Sequence, residues 1–286
     1  MNYKALGQTG IQIPEIGLGM WQYQGGVEVL RKGVESGAPF IDTAELYENE
    51  EVAGQVIKEL KGRVFVATKT HHWRYKEVMR CAEASLRRLG IDTIDLYQLH
   101  WPNATVPIAE TMACMEDLVQ QGKVRFIGLS NFTVKEFKEA QATMRKCKIA
   151  ANQVRYNLVD RTIERDVLPF CQQTDVTVIA YSPLANSFQK LIDADPTKVL
   201  EKVAKMTNKT KAQVALNWCI SKSGVVAIPK TESIQHVVEN CQASGWLLTS
   251  EQIAMLNEGL HFRCRGRLEV ALRRGLRRML QKIRRR

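Results

Sequence analysis

The sequence predicts a parallel (β/α)8 barrel. Short β-rich apolar runs alternate with longer helical patterns along the chain. Eight such pairs fill most of the 286 residues. The unusual polar residues fall at the C-terminal ends of the apolar runs, where barrels of this kind carry their chemistry. A doubly wound open sheet is the alternative that the same alternation allows. No composition break divides residues 1–261, so they are expected to form one domain, with residues 262–286 as a basic extension.

The expected elements follow in order. Tyr3–Glu15, with Gln8-Thr9-Gly10 at its centre, reads as a hairpin that closes the N-terminal end of the barrel. The strands are Ile16–Met20, Phe40–Thr43, Val64–Lys69, Thr93–Leu99, Val124–Leu129, Ala150–Val154, Val176–Ala180 and Val225–Ile228. The helices between them are Gly26–Ser36, Glu50–Leu60, Lys76–Leu89, Ile108–Gln121, Val134–Arg145, Thr162–Gln173, Thr197–Ser221 and Ser233–Cys241. Val52, Val56, Ile57 and Leu60 show the one-sided spacing that such helices need to cover a sheet.

Composition narrows the function classes. A hydrophobic fraction of 45% supplies an ordinary core. No run of about 18 apolar residues is present to span a bilayer. Met1–Gly10 does not resemble a secretory signal. Seven Cys, with long gaps and no C-x-x-C, indicate reduced thiols in a cytoplasmic protein. The net charge is +11, but it belongs to one end. From Phe262 to Arg286 there are ten Arg and one Lys against one Glu, which leaves the rest of the chain nearly neutral. The high charge is therefore no reason to assign nucleic-acid binding to the body. In the tail, Leu268, Leu272, Leu276, Met279, Leu280 and Ile283 recur at helical spacing. An amphipathic helix packed on the barrel is the plainer reading; contact with an anionic membrane or nucleic acid is the other.

Several familiar motifs fail. Gly17-Leu18-Gly19 opens like a dinucleotide fingerprint, but Gln22 stands at its third glycine. Gly128-Leu129-Ser130-Asn131-Phe132 lacks the last Gly of a nucleophile elbow. Gly122-Lys123 runs into Val124 rather than a P-loop Ser or Thr. Five His without ligand spacing predict no metal. What remains is the polar rim: Asp42, Lys69, His100, Ser130 with Asn131, Gln153, Tyr181 with Ser182, and Lys230. Seven strands ending this way point to a single pocket.

The segments Phe40–Tyr47, Ala67–Thr70, Asp95–Pro102, Gly128–Phe132, Tyr181–Leu184 and Ile228–Lys230 together resemble the aldo-keto reductase family. The likeness runs from about Tyr3 to Asn240. It implies a catalytic tetrad of Asp42, Tyr47, Lys69 and His100, reducing aldehydes and ketones with NADPH, and with NADH as a weaker substitute. Reduction needs a hydride on carbon and a proton on oxygen. Tyr47 would give the proton, and the Lys69 ammonium would lower its pKa. Asp42 would hold Lys69, and His100 would orient the substrate oxygen.

The same resemblance assigns Ser130, Asn131 and Gln153 to the nicotinamide amide and Tyr181 to stacking on its ring. It assigns Ser182 and Leu184 to the pyrophosphate, Lys230, Thr231 and Ser233 to the adenosine phosphates, and Glu239 and Asn240 to adenine. His236 stands where many relatives place an Arg against the 2′-phosphate, which weakens that contact. Trp21, Trp73 and Trp101 are candidates for an apolar substrate pocket. Short loops after His100 and at residues 185–196 imply an open, permissive site. A monomer is expected. A cofactor-binding regulatory module with little turnover is the alternative function.

Overall fold

The computed structural model describes residues 1–60 and 64–266, with Glu269, Val270, Leu272 and Gly275. An antiparallel hairpin comes first, β1 (Tyr3–Ala5) and β2 (Gln12–Pro14), paired from Tyr3↔Pro14 to Ala5↔Gln12. Eight parallel strands follow: β3 (Leu18–Gly19), β4 (Phe40–Asp42), β5 (Phe65–Thr70), β6 (Ile94–Leu99), β7 (Val124–Ser130), β8 (Ile149–Arg155), β9 (Thr177–Tyr181) and β10 (Val225–Ile228). Each pairs with its sequence neighbour. The ends meet through a parallel bridge between Ile16 and Ala227. Gly17 N donates to Ala227 O at 2.8 Å and Gly19 N to Pro229 O at 3.1 Å. The sheet is thus the expected barrel, not an open doubly wound one.

The seam explains the two glycines that imitate a dinucleotide motif. A Cβ on Gly17 would lie 2.5 Å from the Phe40 ring, and one on Gly19 would lie 2.6 Å from Ile228 O. The Phe40 ring of the second barrel strand leaves no room for a side chain at Gly17, and the close approach of the first and last strands leaves none at Gly19. Below the seam, Leu6 and Ile13 of the hairpin are fully buried against Phe40, Ala67, Leu96, Ala151, Ile179 and Val226. The hairpin therefore plugs the N-terminal mouth.

The outer layer contains α1 (Gly26–Glu35), α2 (Glu50–Leu60), α3 (Tyr75–Leu89), α4 (Ile108–Gln120), α5 (Val134–Thr143), α6 (Val167–Gln173), α7 (Phe188–Asp193), α8 (Val199–Thr207), α9 (Lys211–Ile220), α10 (Ile234–Cys241) and α11 (Ser250–Gly259). Two expected helices are broken. Thr162–Gln173 divides at Asp166, whose φ of −147° leaves the helical region, into a 3-10 turn and α6. Thr197–Ser221 divides because Asn208 turns left-handed, φ 51°, and Thr210 starts afresh with a capping box to Gln213. Neither α7 nor α11 was expected.

Among the described residues no helix is long and apolar enough to cross a membrane. The expected amphipathic tail helix lies outside the described residues except at Glu269, Val270, Leu272 and Gly275. The start of the tail is tied to the barrel. Arg161 N donates to Arg263 O, Arg263 N to Val159 O, and the Arg265 guanidinium to Asp160 at 2.8 Å.

Candidate active site

The catalytic candidates sit where three neighbouring strands end. Asp42 is the last residue of β4, Lys69 lies one residue from the end of β5, and His100 follows β6. Tyr47 ends a single 3-10 turn, Glu45–Tyr47, between extended Ala44 and left-handed Glu48. That turn is pinned on both sides. Asn49 accepts from Thr43 Oγ1 at 2.7 Å and donates to Met20 O at 2.8 Å. Glu45 accepts from Thr70 Oγ1 at 3.1 Å, joining the turn to the end of β5.

The buried charge pair is the electrostatic centre. Lys69, with no solvent exposure, places Nζ 2.6 Å from Asp42 Oδ1 and 2.7 Å from Thr43 O. The other Asp42 oxygen accepts from Gln153 Nε2 at 2.7 Å and from Gln98 Nε2 at 3.4 Å. A carboxylate so surrounded meets the demand that buried charges be paired and hydrogen-bonded. Lys69 Nζ lies 5.0 Å from the centroid of the Tyr47 ring. Tyr47 OH is 3.4 Å from His100 Nε2. The two groups expected to touch a carbonyl oxygen thus face one another above the ion pair.

Burial and charge compete at these groups. Burial pushes the Tyr47 hydroxyl above its usual pKa; the Lys69 ammonium opposes this without overcoming it. Lys69 therefore acts in the expected direction, but the sum is upward, because desolvating a phenolate costs more than one nearby cation returns. The phenol is kept in its proton-bearing form. Burial alone would lower Lys69, yet the Asp42 carboxylate and Tyr47 carry it upward, so it remains an ammonium.

The remaining rim residues form a second group. Asn131, left-handed with φ 66°, donates through Nδ2 to His100 O at 3.1 Å and accepts from Tyr181 OH at 3.0 Å. Ser130 Oγ donates to Gln153 O at 3.0 Å. Ser130 and Gln153 are almost completely buried, and the Gln153 amide hydrogen reaches Asp42. Ser182 is also left-handed, φ 51°, and its carbonyl is held by Asn157 Nδ2 at 2.9 Å. Leu184 packs at the edge of the core.

The last group lies around the start of α10. Lys230 is exposed and pairs with Glu232 at 2.7 Å. Thr231 Oγ1 accepts from Ser233 N at 3.2 Å, and Ser233 caps α10 by accepting from His236 N. His236 is exposed in the first turn. Glu239 and Asn240 lie further along the helix, the latter buried.

The tryptophans separate. Trp73 is buried and donates through Nε1 to Trp101 O at 2.8 Å. Trp101 stacks beside His100, with ring centroids 6.5 Å apart at 19°. Trp21 is half exposed at the rim. A cavity of about 470 Å³ opens beside these residues, lined by Trp101, Asn131, Phe132, Arg155 and Tyr181 among others. Two residues of the site were not expected: Gln98, buried against Asp42, and Arg155, in the cavity lining. A glutamine inside the apolar run before His100 was the available signal for the first. The Arg155 guanidinium lies 5.7 Å from the Tyr181 ring centroid.

Comparison with known proteins agrees with this geometry. Residues 15–260 match the model of the aldo/keto reductase family. The chain is 38% identical to methylglyoxal reductase YeaE of Escherichia coli (strain K12), over 87% of this chain and 91% of that protein. It is 32% identical to a glyoxal reductase of Bacillus subtilis (strain 168), over 86% and 88%. The crystal structure of an aldo/keto reductase from Klebsiella pneumoniae, in complex with NADP and acetate, superposes with a TM-score of 0.83 at 37% identity, covering 93% of this chain and 98% of that one. With the family model spanning the whole barrel and the four candidate residues gathered at its rim, this chain belongs to the aldo/keto reductase family.

Proposed function

We propose that the protein is an NADPH-dependent carbonyl reductase for small aldehydes and ketones, 2-oxoaldehydes among them, with Tyr47 as its proton donor. The observation that carries the reading is the approach of Tyr47 OH to His100 Nε2, 3.4 Å, above a fully buried Lys69–Asp42 pair. The relatives named as methylglyoxal and glyoxal reductases support the substrate class, and their names do not favour the regulatory alternative.

The rim residues fit the cofactor. Tyr181 offers an aromatic face fixed by its bond to Asn131, and Lys230 with the capped start of α10 offers a cation and free backbone N–H groups for phosphate. Tyr181, Asn131, Ser130 and Gln153 would hold the nicotinamide end. Ser182 and Leu184 would follow the pyrophosphate, and Lys230, Thr231, Ser233, His236, Glu239 and Asn240 the adenosine end. When bound, the reduced nicotinamide supplies the hydride.

The chain's own residues do the rest. His100 and Tyr47 grip the carbonyl oxygen, so the charge that develops there meets two donors already in place. Tyr47 passes its proton to that oxygen, and Lys69 stabilises the phenolate left behind. Asp42 keeps Lys69 charged and in register. Trp21 and Trp101 would face the substrate, with Trp73 as their support. The eight-residue step from His100 to α4 leaves the pocket open.

This reading includes a monomer in a reducing, cytoplasmic setting, supported by seven cysteines that are all free thiols. The division at residue 261 separates a barrel from a tail that starts against it. Pairing of Arg265 with Asp160 and the backbone bonds of Arg263 to Val159 and Arg161 support packing over membrane or nucleic-acid contact for that first stretch. The test is loss of NADPH absorbance with methylglyoxal as substrate. Tyr47→Phe is expected to lower kcat by at least ~10²-fold, the scale of positioned proton transfer. Equal rates would remove Tyr47 from its role.

A further inference from the structure

Behind the catalytic turn lies a cluster that carbonyl reduction does not use. Glu45, His72 and Cys81 each present one ligand atom, all within 4.8 Å of one another. They come from three elements: the 3-10 turn, the loop after β5, and α3. That separation in sequence is why His spacing gave no warning of them. His72 Nε2 lies 3.8 Å from Glu45 Oε1. On the opposite side of the ring, His72 Nδ1 lies 3.8 Å from Glu77 Oε2. At 3.8 Å this is an ion-pair contact and not a hydrogen bond; on closing, a carboxylate on that side of a ligating imidazole fixes its tautomer and raises its basicity.

We propose that Glu45, His72 and Cys81 bind one borderline divalent cation of the zinc type, with Glu77 orienting His72 and water completing the fourth position. The ligand set, one thiolate, one imidazole and one carboxylate, suits zinc rather than magnesium or calcium, which prefer oxygen alone. Bonds of about 2.0–2.3 Å place tetrahedral ligands roughly 3.3–3.8 Å apart. The His72–Glu45 separation, 3.8 Å, lies at that limit, and the Cys81 sulfur, within 4.8 Å of both, has to draw in to complete the set. Half-exposed His72 gives the ion a route in. Binding exchanges the Cys81 thiol proton for the metal and releases that proton to solvent.

The position has a consequence for the reductase reading, on which this part rests. Glu45 and Tyr47 are the two ends of one three-residue turn. A cation that takes Glu45 draws it away from Thr70 and His71 N, its partners at the end of β5. The proton donor then shifts with it, and displacements of that size cost catalysis heavily. Occupancy is therefore inhibitory, and the site makes turnover sensitive to free zinc.

The test uses the full chain without cofactor or substrate, so binding is read independently of turnover. Titration with Co²⁺ alone is followed by the near-ultraviolet charge-transfer absorption of a Co–thiolate bond. The wild type is expected to saturate at one equivalent. Cys81→Ser is expected to abolish the band, while Cys264→Ser, at the exposed cysteine, keeps it. His72→Ala, a surface change that leaves the fold intact, and Glu77→Ala are each expected to weaken binding at least ~10-fold. In a separate assay, Zn²⁺ is expected to slow methylglyoxal reduction by the wild type more than by His72→Ala. No band in the wild type, a band that survives Cys81→Ser, or an unchanged affinity in His72→Ala overturns the site. A band without zinc inhibition overturns only the link to Tyr47.

Discussion

Asp42→Asn isolates the charge at the centre of the site. The amide keeps the shape and its oxygen can still accept from Lys69, but its NH2 takes the place of the oxygen that accepts from Gln153 at 2.7 Å, so the negative charge 2.6 Å from Nζ and one acceptor disappear together. Removing one partner of a buried pair costs about 3–5 kcal/mol, because the other charge is stranded. Lys69 limits that loss by giving up its proton. Neutralising a lysine of reference pKa ~10.4 at about pH 7 costs roughly 4.6 kcal/mol, at 1.36 kcal/mol per unit. The variant should therefore lose about 3 kcal/mol and never more than about 5 kcal/mol. The pH dependence has a definite sign. In the wild type Lys69 is raised on folding, so its contribution is complete below the unfolded pKa and is lost as pH climbs through the folded one. In the variant burial depresses Lys69. The unfolded chain then holds the proton more tightly, and the deficit shrinks with rising pH by up to about 1.4 kcal/mol per unit. Urea unfolding of both proteins at about pH 7 and about pH 9 measures it. A deficit under about 1 kcal/mol, or one that grows with pH, would refute a charged, buried Lys69.

Three further outcomes follow from the same geometry. His236→Arg supplies a bidentate phosphate partner and is expected to lower the KM for NADPH about tenfold while leaving NADH unchanged; an equal change for both cofactors denies His236 its place. Because burial holds the Tyr47 proton above its usual range, kcat/KM for reduction should stay level from about pH 6 to about pH 9 and fall only beyond. A decline centred near neutrality in that profile would contradict the direction of the shift. Thr210→Ala removes the cap that restarts the chain after Asn208 and should cost about 1 kcal/mol in urea unfolding with no change in kcat.

Much of this was readable in the amino-acid order, and the reasons differ by residue. The strands were legible because parallel barrel strands are buried on both faces and appear as short apolar runs. The meeting of the tetrad candidates was legible because a barrel brings successive strand ends to one rim, so Asp42, Lys69 and His100 had to lie side by side. The helix breaks were less so. Asn208 and Asp166 are tolerable helix residues by propensity, and only their backbone angles reveal the interruption. Thr210-x-x-Gln213 and Thr249-x-x-Gln252 carried the signal in the form of capping boxes. The second grip on Asp42, from Gln153 and Gln98, was hidden because it depends on which way two amides turn inside the barrel. The cancelling terms at Tyr47 were hidden as well, since burial is a property of the assembled pocket.

The plug at the bottom of the barrel bears on the order of assembly. Leu6 and Ile13 dock on side chains of Ala151, Ile179 and Val226, and Gly7 N bonds Thr177 Oγ1 at 2.8 Å. These partners are the last parts of the barrel to be synthesised. At 5–20 residues per second, the hairpin leaves the ribosome roughly 10–40 s before β10 exists to receive it. A segment made long before its partners is thus among the last to be locked, with Leu6 and Ile13 exposed meanwhile. Contacts so distant along the chain predict slow closure, and the interval before it is when a chaperone has most to shield.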